Sequence, residues 1–224
     1  MIFMEVQRKI IRGDGFHIPA ILMMPYSSGA AVVIVHGYGG CKEEQLGLAW
    51  RIAEMGIATC TIDLRGHGEH SLMLTDRVIE DVETAVQFCR AYGKVAVVGH
   101  SLGGRLALLS SADLAIAISP ALCKTYTQQT HDGMKKRSFR ARAASPETIF
   151  EICEALPLWE QSDRPAAIIY GSRDIPEIVK ACEEQNTKGV PVTCIENAAH
   201  NDTYLLEATF EEIGKHLAAI VSDY

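Results

Sequence analysis

Residues Gly99-His100-Ser101-Leu102-Gly103 spell G-x-S-x-G, between an apolar run at 95–98 and a helical pattern that starts at Leu102. A strand that turns sharply into a helix strains the residue at the corner, and the residues two positions away must carry almost no side chain. Gly99 and Gly103 meet that need. The corner lifts the Ser101 hydroxyl clear of the sheet, at a helix N-terminus that favours developing negative charge. A hydroxyl so placed can attack a carbonyl carbon. At neutral pH it does so only with a base to take its proton, a group to orient that base, and donors for the oxyanion. An ordinary glycine-rich strand-to-helix turn would carry the same five residues, so the partners decide.

In an open α/β sheet those partners come from loops at the carboxyl ends of strands. One such loop is His36-Gly37-Tyr38-Gly39-Gly40. Its glycines let backbone N–H groups approach a ligand, and it is the place for one oxyanion donor. The N–H of Leu102, directly after the serine, is the other. A second loop reads Gly171-Ser172-Arg173-Asp174, ahead of Pro176. Asp174 is either the orienting acid or only a helix cap. A third, after the last strand, reads Glu196-Asn197-Ala198-Ala199-His200. His200 is either the base or a solvated loop histidine. Two other acids compete with Asp174. Asp63 also follows a strand, but Arg65 beside it suggests a local ion pair that shapes the loop. Glu177 lies one helical turn too far on. The order Ser101, Asp174, His200, on three different strand ends, favours those three together. His67 and His100 are expected to be structural or to line the pocket, because neither has an orienting acid at a matching position.

Composition narrows the class. The chain has 224 residues, 48% of them hydrophobic, enough for one domain over 1–224 with a sizeable core. A net charge of −7 argues against nucleic acid as a partner. No apolar run is long enough to span a bilayer. The first fifteen residues lack the apolar stretch of a secretory leader. The seven cysteines are scattered and show no C-x-x-C spacing, so reduced thiols and a cytoplasmic location are expected. His67, Glu69 and His70 sit in a glycine-rich loop without a fourth ligand, a poor metal site.

The elements that must position the loops follow from periodicity. Runs at 5–11 and 16–24 read as two strands joined by Gly13-Asp14-Gly15. Continuous apolar runs at 31–35, 57–62, 94–98, 114–118, 166–170 and 190–195 suit strands buried on both faces of a parallel sheet. Helical patterns at 44–55, 76–91, 102–112, 176–186 and 204–221 alternate with them. This predicts an α/β fold: a mostly parallel central sheet with helices on both faces. Residues 121–164 hold no strand pattern and are too long for a bare loop, so they read as a short insertion with helices of its own. The insertion carries a basic run, Lys135-Lys136-Arg137 with Arg140 and Arg142, which either draws an anionic substrate or is a solvated face.

Taken jointly, these motifs make the chain resemble the α/β-hydrolase family from about residue 16 to the C-terminus. Asp63-Leu64-Arg65-Gly66-His67-Gly68 adds a match to that family's D-x-R-G-x-G loop. The resemblance implies that the N–H of Tyr38, after the His-Gly pair, is the second oxyanion donor. Serine at the corner, where members that attack epoxides or carbon–halogen bonds have Asp, implies acyl chemistry without a cofactor or metal. The overall look is similar to small bacterial carboxylesterases, feruloyl-esterase-like ones included. The expectation is a Ser101–His200–Asp174 hydrolase of a small-molecule carboxylic ester or thioester; other chemistry on the same fold (C–C hydrolase, lyase, perhydrolase) or a slow-turnover binding protein are the rivals. Residues 121–164 resemble the cap that many members place over the site. Tyr126, Met134, Phe139, Phe150 and Trp159 are expected either to line an acyl pocket or to pack the underside of the cap.

Overall fold

Eight strands form one sheet in the order β1-β2-β4-β3-β5-β6-β7-β8. The computed structural model describes residues 4–26, 28–123 and 125–221. Strands β1 (Met4–Arg12) and β2 (His17–Pro25) make the expected antiparallel hairpin, and β2 also runs antiparallel to β4 (Ala58–Ile62). From β4 across β3 (Ala30–Val35), β5 (Lys94–His100), β6 (Leu114–Ile118), β7 (Ala166–Arg173) and β8 (Val192–Ala199), every pairing is parallel. All the loops singled out above therefore emerge at one end of the sheet.

The unbroken apolar runs of β3 and β5 have a direct physical cause: both faces are covered. Val33, Val35, Val95 and Val97 meet helices α2 (Ile79–Cys89) and α3 (Leu102–Leu109). Val32, Ile34, Ala96 and Val98 meet α1 (Leu46–Ala53) and α7 (Glu207–Val221). Helix α6 (Pro176–Thr187) closes the sheet over β7 through Ile178 and Cys182. Each fully buried Ile or Val of this kind contributes about 1.5–3 kcal/mol. Several helices are shorter than their apolar pattern, because their first or last turns tighten into 3-10 geometry, as at Lys42–Gln45 before α1 and Asp76–Val78 before α2. Strand β8 runs to Ala199, beyond the apolar run that ends at 195, and so carries the chain directly to His200.

Residues 121–164 contain α4 (Gln128–Lys136) and α5 (Thr148–Ala155) and no strand among the described residues. The two halves differ. Helix α4 has no buried residue, and Thr127 caps it by accepting the Thr130 N–H. Helix α5 buries Ile149, Ile152 and Cys153, with Leu156 just after it, in the same cluster as the sheet. Arg105 of α3 is buried and fastens this half, donating to the carbonyls of Ala121, Cys153, Leu156 and Pro157. The second half of the insertion is thus core rather than cover.

Candidate functional site

Ser101 adopts φ 56° and ψ −114° between β5 and α3, a left-handed conformation that costs a non-glycine residue free energy. The surroundings hold it there. Its N–H donates to Ile118 O, and its carbonyl accepts from Arg105 N and Ala121 N. A Cβ on Gly99 would stand 2.1 Å from Gly103 O, and one on Gly103 would stand 2.3 Å from Val35 O. No side chain fits at either place, which is the steric content of G-x-S-x-G.

His200 follows β8 and faces the serine. Its Nε2 lies 3.1 Å from Ser101 Oγ, and its Nδ1 lies 2.7 Å from Asp174 Oδ1. An acceptor at Nδ1 places the ring proton there, leaving Nε2 free to accept from the hydroxyl. Gly171 lets the two strand ends meet: a Cβ on it would lie 2.3 Å from Ala198 O. Asp174 is buried, and burial pushes its carboxyl up. Hydrogen bonding to His200 and to the Ile175 N–H outweighs this and holds the carboxyl below its ordinary value. The buried Ser119 hydroxyl lies close enough to favour the ionised form, yet short of hydrogen-bonding geometry. Ser119 Oγ and Asp174 Oδ2 are both buried without a partner among the described residues.

Three buried histidines brace this arrangement. His100 Nε2 lies 2.7 Å from the His200 carbonyl and donates to it, and its ring packs against those of His200 and Tyr204. His36 accepts the Leu64 N–H at Nε2 and donates from Nδ1 to Gly37 O. His67 accepts the Gly39 N–H at Nε2 and donates from Nδ1 to Arg65 O. Each ring therefore serves as one donor and one acceptor, or as a donor alone, and none needs a second proton. Burial lowers His36 to about 4, and His67 and His100 to about 3. His36 and His67 thereby pin the loop Gly37–Gly40. The N–H groups of Tyr38 and Leu102 have no acceptor among the described residues.

Asp63 is not near His200. Its carboxylate accepts from Lys42 N, Lys42 Nζ and Glu69 N at 2.7–2.8 Å. Its ion pair is therefore with Lys42, not with Arg65 as its neighbour in sequence suggested. Arg65 turns instead to Asp81, which accepts from its Nε, Nη2 and backbone N–H. Glu177 accepts from Thr127 N at the start of α4. Among the described residues no group of three His, Cys, Asp or Glu side chains is arranged to hold a metal ion.

A cavity of about 200 Å³ opens at Ser101, lined by Gly37–Gly40, Glu44, Gln45, His100, His200, Asn201, Tyr204, Arg137 and Arg140. None of the expected apolar insertion residues lines it. Tyr126 packs edge-on to Phe150 and donates to Cys153 Sγ; Phe150 stacks on His131. Met134 packs against the sheet cluster, Trp159 packs near β6, β7 and α6, and Phe139 is 84% exposed. The basic run is divided. Lys135 pairs with Glu147, and Arg142 donates to the carbonyls of His67, Gly68 and His70. Arg137 and Arg140 alone of the run reach the cavity. Their charge was visible in the sequence; their position was not.

A model of the alpha/beta hydrolase family matches residues 32–178. The chain belongs to the alpha/beta hydrolase family. Among curated relatives it is similar to a 2-succinyl-6-hydroxy-2,4-cyclohexadiene-1-carboxylate synthase of Salmonella paratyphi C (strain RKS4594), 30% identical over 124 residues, 53% of this chain and 46% of the relative. The chain thus spans about half the length of the curated relatives it matches. Among solved structures it is similar to the Pyrobaculum calidifontis esterase, with TM-score 0.72 and 22% identity over 97% of this chain and 85% of that one. It is also similar to a Butyrivibrio proteoclasticus protein solved with ferulic acid bound, with TM-score 0.74 and 18% identity over 96% of this chain and 100% of that one. At these identities the two structures speak for the fold. No helix among the described residues is long and apolar enough to cross a membrane.

Proposed function

We propose that this protein is a serine hydrolase that cleaves small carboxylic esters or thioesters through an acyl-enzyme. The observation that carries the reading is the continuous chain from Ser101 Oγ through His200 to Asp174, with contacts of 3.1 and 2.7 Å. In this reading His200 Nε2 takes the Ser101 proton as Oγ attacks the ester carbonyl. The N–H groups of Tyr38 and Leu102 receive the oxyanion. His200 then returns the proton to the leaving alcohol or thiol. Water, deprotonated by His200, cleaves the acyl-enzyme in the same way. Asp174 stays ionised throughout and keeps the His200 proton on Nδ1. No step calls on a cofactor. The cavity of about 200 Å³ favours small substrates over drug-sized ones.

The test is hydrolysis of p-nitrophenyl esters from acetate to octanoate. We expect turnover that favours short acyl groups and falls by about 10⁵–10⁶ in Ser101→Ala. An alanine variant that retains turnover overturns the reading. One relative's name favours a second reading, in which the same three residues carry a reaction other than ester hydrolysis: the matched Salmonella protein is a synthase. An acyl-enzyme trapped at Ser101 during ester turnover separates the two.

A further inference from the structure

The charge around the cavity runs against the charge of the chain. The protein carries a net −7, yet two guanidinium groups stand at the opening beside Ser101. They are not equivalent. Arg140 is paired with Glu44, and the two cancel. Arg137 pairs with no carboxylate among the described residues; its side chain donates only to the neutral Asn201 Oδ1, at 3.1 Å. A guanidinium has five N–H donors in a planar fork, so most of its capacity is unspent.

That hydrogen bond also fixes where the charge sits. Asn201 directly follows His200, so Arg137 is tied to the residue beside the proposed base. From the other side, Arg137 and Arg140 pack over the glycine loop, within 4 Å of where a Gly39 Cβ would stand. The cavity therefore lies between Ser101 and a held, unpaired cation. The apolar insertion residues that would favour a long hydrocarbon chain point elsewhere. Apart from Tyr38, Tyr204 and the histidines, the side chains that remain are polar.

Resting on the reading of Ser101 as nucleophile, we propose that the preferred substrate is an ester bearing a carboxylate a few bonds from the scissile carbonyl, received by the guanidinium of Arg137. A planar fork matches a carboxylate with two parallel hydrogen bonds. The carboxylate can belong to the acyl part or to the alcohol part of the ester. In a cavity of about 200 Å³ either arrangement keeps it close to the serine.

Binding tests this without turnover. The Ser101→Ala protein is titrated calorimetrically with monomethyl glutarate (carboxylate on the acyl side), butyryloxyacetate (carboxylate on the alcohol side) and methyl valerate (neutral). We expect at least one anionic ester to bind about tenfold or more tightly than methyl valerate, as a hydrogen bond to a charged group allows. Added salt should shrink that preference. Arg137→Gln in the same background should abolish it, and Arg137→Lys should keep part of it, with thermal midpoints confirming folded protein. The arm that shows the preference names the side of the ester that carries the charge. Equal binding of all three esters, or a preference that survives Arg137→Gln, overturns the proposal. The parent protein is then given the preferred ester. Tight binding without hydrolysis would leave the anion site standing and remove the nucleophile reading instead.

Discussion

Moving from pH 7 to pH 5 should remove roughly 5–6 kcal/mol of this protein's stability, through three buried histidines that hold the backbone around the site. His36, His67 and His100 are buried, and burial holds them at about 4, 3 and 3, against 6.5 in an open chain. The folded state leaves all three neutral at pH 5, whereas the unfolded chain protonates them. Their contribution is therefore complete above 6.5 and is lost as pH falls toward the folded values. Between pH 7 and 5 the three together lose roughly 5–6 kcal/mol by this linkage, a large part of a typical domain's 5–15 kcal/mol. The carboxylates do not offset this. Asp81 and Asp174 are held below 3.8, so what they contribute disappears only in stronger acid. Urea melts at pH 7, 6 and 5 measure the effect directly. Calorimetry in buffers of different ionisation heat should find about three protons taken up by these histidines on unfolding at pH 5. A stability difference below about 1 kcal/mol between pH 7 and 5 would refute the assignment of these rings as buried neutral partners of the backbone.

Three other outcomes follow from the same contacts. Asp174→Asn should leave the fold intact and lower kcat by roughly 10⁴, because the amide favours the wrong His200 tautomer; steady-state kinetics reads this. Asp63→Asn should do the opposite, taking from buried Lys42 its one buried carboxylate and leaving it the more exposed Glu43 and Glu69, at a cost of up to about 3–5 kcal/mol and a smaller loss of rate; a melt beside the kinetics separates the two acids. His67→Ala deprives the Gly39 N–H of its acceptor. It should cost about 1–3 kcal/mol and slow acylation of Ser101 as the donor loop loosens, measured by stopped-flow with an activated ester.

The parts of this molecule that were legible in the sequence are those with a local steric or periodic cause. The strands of the parallel sheet announce themselves because burial on both faces demands unbroken apolar runs, as at 31–35. G-x-S-x-G is readable because two carbonyl oxygens occupy the space that side chains at 99 and 103 would need. The strand-end positions of Asp174 and His200 followed from chain order. What stayed hidden depends on contacts far apart in sequence. Nothing near Asp63 in the chain reveals that its partner is Lys42, 21 residues earlier, because the adjacent Arg65 is as plausible until Asp81 is seen to claim it. Apolar residues in a segment without a clear period do not reveal whether they line a cavity or pack beneath it, so for Tyr126, Met134, Phe139, Phe150 and Trp159 both readings stayed open in the sequence. Two of the five basic residues between 135 and 142 turn out to face the cavity instead.

A fluorophosphonate is the sharpest probe of Ser101 as a base-activated nucleophile. Only a hydroxyl with a base at hand attacks phosphorus quickly. Intact mass after labelling should show one adduct per chain, peptide mapping should place it on Ser101, and Ser101→Ala should take up none. His200→Ala should label slowly. An adduct on a different serine, or labelling of Ser101→Ala at the parent rate, would remove Ser101 as the nucleophile.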